Sequence, residues 1–257
     1  MLNSTPSQRN LARKLRGSDG IELTLTHYAA GVRQRRHEHD HVQVSFLLAG
    51  ANHETIGRRS NEVTRPSACI KPIGTDHENA WGKTGALMLT VRLRQPAMLE
   101  GLSFEHATWR ACKPTSASLV RGALKAERPA DVDALACDLV GSLDERTEQP
   151  RGHQPPWLIP VIEAIWECDN LTADDAARIG GVHRVHLSRA FAQFVGTPFS
   201  IYRKQVMAAR AVEAMLRTRM PLADVAALAG FADQSHMHRT IAALAGTTPK
   251  SLRQKLS

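Results

Sequence analysis

The chain has 257 residues, 42% of them apolar and 23% charged, a composition typical of globular proteins with room for two buried cores. Its 33 Lys and Arg outnumber its 25 Asp and Glu, so the formal net charge of +8 favours an anionic partner such as nucleic acid. No apolar run approaches the length of a membrane span, and the 4 cysteines lack the CxxC spacing of a zinc ribbon, which favours reduced thiols in the cytoplasm.

The first segment, residues 1–20, is polar and basic and ends in a Gly-Ser-Asp-Gly turn, which predicts a mobile N-terminal arm. From Ile21 onward, short apolar or alternating runs are separated by Gly, Pro and Asn, as in an antiparallel sandwich or barrel. We place the first folded domain at residues 21–147. Its predicted strands are residues 23–28, 42–50, 52–57, 68–74 and 86–93.

Histidines are concentrated in two stretches of this β region. The first has the spacing G-x5-H-x-H-x3-Q-x6-G and contains His37, His39 and Gln43; the second has the spacing P-x-G-x2-H and contains His77. Alternate residues of a strand face the same way, so His37 and His39 are expected to point inward together and to meet His77. By the same alternation, His41 is expected to face outward.

Three imidazoles can bind Zn, Fe, Mn or Ni, but the same side chains can hydrogen-bond to the backbone or contact a small effector. Gln43 offers a neutral amide, which is a poorer ligand than a carboxylate for a hard divalent ion. We therefore assign no cofactor to the chain. A metal ion at His37, His39, Gln43 and His77 is kept as the alternative to an effector pocket.

Both stretches resemble the two motifs of the cupin family, in which the fourth metal ligand is typically Glu where this chain has Gln43. The resemblance implies a small β-barrel with one open mouth. Because small barrels are usually filled by side chains, most apolar residues of these strands are expected to form core and only some to line a cavity. The residues concerned are Val44, Phe46, Leu48, Trp81 and Leu89.

A helix is predicted over residues 131–143, because Val132, Leu135, Ala136, Leu139, Val140 and Leu143 form one apolar stripe. The stripe is expected either to pack against its own domain or to form a dimer contact. Residues 148–156 are polar and rich in proline, as in an interdomain linker. Residues 157–257 form a second domain, which is predicted to be entirely helical.

The second domain contains an internal repeat, since residues 172–197 are echoed by residues 221–247. Each copy predicts a short helix, a turn centred on glycine and a second helix, which is the helix-turn-helix pattern. Thr172 with Asp175 predicts a capped helix start in the first copy, and Asp233 caps the second helix of the second copy. The predicted core-facing residues are Ala176, Ala177, Ile179, Leu187, Phe191 and Phe194, and in the second copy Val225, Ala226, Leu228, Met237, Ile241 and Leu244.

Residues 157–257 also resemble the tandem helix-turn-helix domain of AraC-type transcription regulators. The resemblance is carried by HLSRAF at residues 186–191 and by GFADQSHMHRTIAALAGTTPKSLR at residues 230–253. The chain departs from the family pattern at His183, where Ser or Thr usually caps the first recognition helix. The resemblance implies DNA contacts at Val185, Ser188, Arg189, Gln234, Ser235, His236, His238 and Arg239.

The predicted fold class is therefore α+β: an N-terminal cupin-like antiparallel β-barrel followed by helices, and a C-terminal all-α tandem helix-turn-helix domain. The predicted function is that of a cytoplasmic, homodimeric transcription regulator, not an enzyme, which binds double-stranded promoter DNA under the control of a small-molecule effector. RNA polymerase is a further predicted partner, and no membrane is involved. The alternative is a metal-dependent cupin enzyme with an accessory helical domain.

Overall fold

The N-terminal half of the computed structural model is an antiparallel sheet curled into a half-barrel, and the remainder is helical. The structure describes residues 10–18, 20–94, 107–111, 116–141, 143, 155–168 and 170–256. The strands are β1 (Leu11–Arg16), β2 (Ile21–Tyr28), β3 (Arg33–His37), β4 (Val42–Ile56), β5 (Arg59–Val63), β6 (Ser67–Lys71), β7 (His77–Leu93) and β8 (Arg110–Ala111). The helices are α1 (Ser116–Lys125), α2 (Pro129–Gly141), α3 (Leu158–Glu167), α4 (Ala173–Gly180), α5 (Arg184–Val195), α6 (Phe199–Arg217), α7 (Leu222–Leu228), α8 (Gln234–Ala245) and α9 (Pro249–Leu256).

The strand order is β1-β2-β7-β4-β6-β8, with β3 paired to β7 and β5 paired to β4. The predicted antiparallel fold is confirmed, and every predicted strand falls on an observed one. Two of the predicted strands, residues 42–50 and 52–57, belong to the single strand β4. Among the described residues, no helix combines the length and apolarity that a membrane-spanning segment requires.

Part of the predicted N-terminal arm is a strand. Residues 11–16 pair with β2, from Leu11 opposite His27 to Arg16 opposite Glu22. Arg13 on this strand donates hydrogen bonds to the carbonyls of Ala123 (3.2 Å) and Ala126 (2.9 Å) at the end of α1. The prediction of a mobile arm over residues 1–20 is thus wrong for residues 11–16, because strand pairing and these bonds hold them. Residues 1–9 lie outside the described part.

One face of the sheet is apolar. The other, which we call the polar face, carries the polar side chains beside a small apolar cluster around Leu47, Trp81 and Met88. A bulge lies in β4 between Leu47 and Ala49, where the register with β7 shifts by one residue. Such a shift exchanges the faces on which odd and even residues lie. Gln43 and Ser45 before the bulge and Glu54 after it consequently share the polar face.

The apolar face of the sheet packs against helices from both halves of the chain. This large core combines sheet residues such as Leu25 and Phe46 with the stripe of α2, with Met215 of α6 and with Met237 of α8. The predicted stripe on residues 131–143 is confirmed, and it packs within the chain. Its buried residues are Val132, Leu135, Ala136, Leu139 and Val140.

A second core lies inside the first helix-turn-helix unit. It is formed by α3, α4, α5 and the first turns of α6, and it does not include residues of the sheet. Phe191 is fully buried here, with its ring edge-on to Phe199 and to Tyr202, each at 5.5 Å between ring centroids. Among the described residues, the second unit has no separate core, because its buried residues belong to the large core.

The predicted helix caps are confirmed. Thr172 and Asp175 form a capping box at the start of α4, and Asp233 accepts a hydrogen bond from the His236 N–H at the start of α8. His183 caps α5, since its Nδ1 accepts a hydrogen bond from the Val185 N–H at 3.3 Å. An imidazole therefore takes the role that a hydroxyl usually has in AraC-type domains.

Two predicted core residues are exposed instead. Ile179 is 47% exposed and Leu228 is 57% exposed, although both were expected to face inward. In an ideal helix each lies about 110° from the midpoint of its two buried neighbours, Ala176 and Ala177 or Val225 and Ala226, and so outside the buried stripe. Leu187, Phe191, Met237 and Ile241 are buried as predicted, and Phe194 is half-buried.

The predicted linker lies almost wholly outside the described residues. Only Pro155 and Pro156 of residues 148–156 are described, and they directly precede the turn into α3. Because a proline disfavours helical conformation in the residue before it, Pro156 is consistent with a helix that begins only after both prolines, at Leu158.

A buried polar network joins β2 to α6. Arg217 Nη2 lies 2.8 Å from His27 Nδ1 and donates to the His27 carbonyl at 2.9 Å, while His27 Nε2 lies 3.3 Å from Glu213 Oε2. Glu213 Oε1 accepts a hydrogen bond from the Ala30 N–H at 3.1 Å. Burial and, secondly, the charge of Arg217 lower the pKa of His27 to about 3, so this imidazole is neutral and fits between a donor and an acceptor.

Phe191→Ala tests the core of the first helix-turn-helix unit. The substitution empties a fully buried aromatic site, so it should lower the free energy of unfolding by about 3–5 kcal/mol. Urea unfolding followed by circular dichroism measures the loss. The control is Ile201→Ala on α6, where the side chain is 41% exposed and a change within about 0.5 kcal/mol is expected. An equal loss in both variants would contradict the assigned core.

The neutral state of His27 makes stability depend on pH. The pKa of His27 is about 3 in the folded chain and 6.5 when unfolded, so its contribution is complete above pH 6.5 and is lost as the pH falls toward 3. Between pH 7 and pH 5 this group alone should remove about 2 kcal/mol from the free energy of unfolding. Urea titrations at both pH values should show a smaller loss for His27→Gln than for the wild type. Identical losses would mean that His27 is not the group responsible.

Candidate functional site

The second helix of each helix-turn-helix unit carries an exposed face. On α5, Val185 is 51% exposed, and Ser188 and Arg189 are exposed beside it. Arg184 lies 3.5 Å from Asp174 of α4, which joins the two helices of the unit at their surface. The opposite side of α5 is held in the core by Leu187 and Phe191. The division into a buried seam and a free polar face is the one that a recognition helix requires.

The second unit repeats this arrangement on α8. Gln234, Ser235 and Arg239 are exposed, whereas His236 and His238 are half-buried. The ring of His236 packs edge-on against Phe231 at 5.2 Å. His236 thus has a packing role in addition to its predicted contact with DNA.

Helix α6 separates the two units. Its 19 residues span about 28 Å, which is comparable with the roughly 34 Å between successive major grooves on one side of B-DNA. Both α5 and α8 end in a glycine in the left-handed conformation, Gly196 (φ 73°) and Gly246 (φ 64°). The repeat seen in the sequence is thus reproduced at the level of backbone geometry.

The predicted histidine cluster forms on the polar face of the sheet. One ring nitrogen each from His37, His39 and His77 can be chosen so that all three lie within 4.8 Å of one another. His37 and His77 also donate from Nδ1 to backbone carbonyls two residues earlier, at 2.7 Å to Arg35 and 3.0 Å to Thr75. These bonds leave Nε2 with a lone pair, as in most histidines that bind metals, and the lone pair of His37 accepts a hydrogen bond from the Gln34 amide at 3.1 Å, which a metal would displace.

Two imidazoles of the cluster, those of His39 and His77, are held neutral. Burial, followed by the neighbouring His37, lowers the pKa of His39 to about 4. Burial, followed by the ammonium group of Lys71, lowers the pKa of His77. Neutral imidazole is the form that binds metal, so protons do not compete for these two ligands at neutral pH.

Gln43 lines the same cavity as the histidines. Its amide nitrogen donates to Ser45 Oγ at 3.1 Å, and its neutral carbonyl oxygen is a poorer ligand for a hard divalent ion than a carboxylate. The donor set therefore fits a divalent transition ion through His37, His39 and His77, with any further ligands supplied by water or a bound molecule.

A buried ion pair that the sequence reasoning missed lies beside the histidines. Lys71 Nζ is 3.1 Å from Glu54 Oε1, with the two side chains 2% and 1% exposed. Glu54 Oε2 accepts a hydrogen bond from Trp109 Nε1 at 2.6 Å, and Glu54 Oε1 lies 4.0 Å from His77 Nε2. The only sequence signal for Glu54 is a charged residue within a predicted strand, and the bulge in β4 obscures which way that residue points.

The cavity around these groups is small and polar. Its volume is about 50 Å³, close to that of one or two water molecules, so without rearrangement it accepts an ion or a ligand of a few atoms. A wider groove of about 610 Å³ lies nearby, next to exposed Arg33, Arg35 and Glu78. The cavity is lined by Tyr28, Gln34, His37, His39, Gln43, Ser45, Glu54, Lys71, His77, Asn79, Trp81, Met88, Thr90 and Arg92.

Two sequence predictions about this region need correction. His41 does not face away from the cluster, because residues 38–41 follow β3 without continuing it and the His41 ring stacks on His39 at 4.9 Å. Of the five apolar residues considered, only Trp81 lines the cavity, stacked on Tyr28 at 3.8 Å between ring centroids. The others, Val44, Phe46, Leu48 and Leu89, belong to the core on the opposite face of the sheet.

Comparisons with known proteins agree with the helical geometry. Residues 176–255 match a family described as a helix-turn-helix domain. An AraC-type regulator from Chromobacterium violaceum is 26% identical over 40% of this chain and 93% of that one, with a TM-score of 0.38. The C-terminal domain of AraT, a response regulator from Geobacillus stearothermophilus, is 23% identical over 40% of this chain and 88% of that one, with a TM-score of 0.38.

The N-terminal half also has a similar solved structure. An RmlC-like cupin from Shewanella frigidimarina is 14% identical over 38% of this chain and 93% of that one, with a TM-score of 0.32. No protein of curated function matches the sequence.

The family match extends from α4 to α9 and so includes both helix-turn-helix units. The matched domain supports binding of double-stranded DNA and the role of a transcription regulator. The domain is of the AraC type, as the motifs in residues 186–191 and 230–253 predict.

Metal binding by the histidine cluster can be measured directly. After treatment with EDTA, addition of Zn²⁺ or Ni²⁺ at pH 7.5 should raise the melting temperature of the protein, because an ion that binds only the folded chain stabilises it. The shift should be lost in His39→Ala. It should persist in the matched control His53→Ala, since His53 lies on the same sheet, bonded to Ser60 and outside the cluster. If the melting temperature of the wild type does not change, the cluster does not bind these ions, and an effector without a metal is favoured.

Proposed function

We propose that this protein is a sequence-specific regulator that reads promoter DNA with α5 and α8, and that a small molecule in the N-terminal cavity controls the binding. The observation that carries the proposal is the matched pair of exposed polar faces on two helices that are fixed by buried seams. The proposed DNA contacts are Val185, Ser188, Arg189, Gln234, Ser235, His236, His238 and Arg239.

The exposed side chains have the chemistry of base recognition in the major groove. Arg189 and Arg239 can each donate two hydrogen bonds to guanine O6 and N7, and Gln234 can pair with adenine N6 and N7. Val185 offers an apolar surface to a thymine methyl group. The net charge of +8 adds attraction to phosphates that does not depend on sequence.

Control by a ligand follows from the two faces of the sheet. Ser45 and Thr90 line the cavity, whereas the adjacent Phe46 and Leu89 pack in the core shared with α6. A ligand that binds one curvature of the sheet more tightly than another therefore alters the surface on which α6 rests. Its differential affinity for the two states sets the size of the regulatory effect.

Further partners stay predictions. Homodimer formation, contact with RNA polymerase and action in the cytoplasm follow from the family resemblance rather than from a contact among the described residues. The apolar stripe on α2 does not support a dimer, because its residues are buried in the core of the same chain.

Arg239→Ala tests the readout. Wild-type protein is first used to enrich binding sites from a pool of random duplexes, and the enriched duplex then serves as the probe in anisotropy titrations. The variant should lose about 1–3 kcal/mol of specific binding and relax the preference at one base pair, because a bidentate contact is removed. The control, Arg58→Ala, removes the same charge from an exposed turn in the N-terminal half and should keep the preference.

The outcomes separate the parts of the proposal. If wild-type protein enriches no sequence at low salt, sequence-specific binding is rejected. If the wild type does enrich a sequence but Arg239→Ala keeps the same affinity and base preference, Arg239 does not contact a base. Control is tested by repeating the titration with a panel of small metabolites and metal ions. A compound that changes the Kd of the wild type but not of His39→Ala, which removes one imidazole from the cavity lining, supports the proposed site.

A metal-dependent enzyme is the second candidate. It is favoured by the grouping of three histidines beside Glu54 in a cavity that is partly open. Elemental analysis of protein purified without a histidine tag distinguishes the two. Near-stoichiometric Fe or Mn that is required for turnover of a substrate would favour the enzyme, and metal-independent DNA binding would favour the regulator.

A further inference from the structure

The two helix-turn-helix units are attached to the N-terminal half in different ways. The second unit is fused to it, because Val225, Phe231 and Met237 share the large core with the sheet. The first unit has a core of its own, built on Phe191 and Tyr202. Within the described part of the chain, its position relative to the sheet therefore depends on α6 and on polar contacts that cross between the two cores.

One such contact is made by Arg65, which lies between β5 and β6. Its Nη1 donates to the carbonyl of Val195 and lies 3.5 Å from the carbonyl of Phe194, at the C-terminal end of α5. The neighbouring Thr64 hydrogen-bonds through its side chain to Tyr202. The loop between β5 and β6 is thus bound to the first unit at two adjacent residues.

Arginine suits the place where it is bound. The last carbonyls of a helix have no partner within the helix and form the negative end of its dipole. A guanidinium group there satisfies these acceptors and adds favourable charge. Since α5 is the first recognition helix, Arg65 contacts the DNA-binding element itself at the end opposite the exposed Val185.

The second recognition helix has a counterpart contact. Arg121 of α1 donates from Nε to the carbonyl of Gly246 at 3.1 Å, one residue beyond the end of α8. Gly196 and Gly246 are equivalent positions of the repeat, and both adopt the left-handed conformation. The N-terminal half therefore contacts both recognition helices at their C-terminal ends, within one or two residues of the equivalent position, and of the two only α8 also belongs to the shared core.

We propose that Arg65 is a positioning residue that fixes α5 relative to α8. It would thereby determine which spacing the protein accepts between two half-sites, the short DNA segments that α5 and α8 each contact. The inference rests on the proposed recognition of DNA by α5 and α8. One additional base pair moves a half-site by about 3.4 Å and rotates it by roughly 35°, so a fixed pair of helices distinguishes neighbouring spacings. When Arg65 is removed, α5 gains freedom to follow the displaced half-site.

The test uses the full chain and the duplex enriched by wild-type protein, together with versions that carry one inserted or deleted base pair between the half-sites. The affinity of the wild type should be roughly tenfold higher for the duplex with the original spacing than for the altered duplexes, and this ratio of affinities is the quantity compared among variants. Arg65→Ala should reduce this ratio to about threefold or less while it binds each isolated half-site as the wild type does. Arg65→Lys, which keeps a positively charged donor group but not the planar guanidinium, should restore part of this difference in affinity.

Two controls carry the same loss of charge. Arg121→Ala removes the equivalent contact from α8 and should keep most of the preference, because the large core still holds that helix. Arg128→Ala, which loses only an exposed pair with Asp131, should keep all of it. A wild-type ratio in Arg65→Ala, or an equal reduction in Arg128→Ala, would overturn the proposal.

A measurement without DNA keeps this inference separate from the proposed function. Amide hydrogen exchange should be faster in Arg65→Ala than in the wild type at the last turn of α5 and at residues 64–66, and unchanged in Arg128→Ala. If the wild type enriches no DNA sequence, the proposed function fails, and the exchange data alone decide whether Arg65 holds α5. Unchanged exchange at both places would reject the positioning role.

Discussion

The structure depends on the burial of one apolar sheet face against helices from both halves of the chain. Phe46 and Leu89 of the sheet, the stripe of α2, and residues of α6 and α8 all belong to the same core. Burial of apolar surface is the dominant favourable term in folding, and it contributes about 25 cal/mol for each Å² removed from water. It also brings the second helix-turn-helix unit into direct mechanical contact with the sheet.

Because the apolar face is occupied, the polar face is left for ligands. The histidine cluster, the Glu54–Lys71 pair and the hydroxyl of Ser45 lie there, one residue removed from side chains that face the helices. Because the same strands form the cavity wall and the surface that contacts the helices, a change in the cavity can reach the helices without any further structural element. The buried network of His27, Glu213 and Arg217 adds a directional contact between β2 and α6, where apolar packing alone would allow sliding.

Local signals made much of the fold predictable. The capping box at Thr172, the cap at Asp233 and the seams around Phe191 and Met237 are encoded within a few residues, so the sequence pattern was sufficient. The cluster of His37, His39 and His77 was found through the spacing of two short motifs.

The errors have nonlocal causes. Strand β1 exists because it pairs with β2 and contacts the end of α1, and neither contact is visible in residues 11–16 themselves. The bulge in β4 exchanges the faces of odd and even residues, so simple alternation did not place Glu54 in the cavity. Ile179 and Leu228 are apolar but lie at the edge of a narrow helical stripe, where the partner surface does not reach.

The unequal division of the cores bears on how the chain comes apart. The first unit, with its self-contained core around Phe191, qualifies as a small cooperative unit that can open by itself at a lower free energy than the sheet. We expect the second unit to unfold together with the sheet, since residues of both belong to one core. Removal of all residues before α3 would therefore leave the first unit whole and strip the second of its packing, so an isolated C-terminal fragment would be less stable in its second unit than the intact chain.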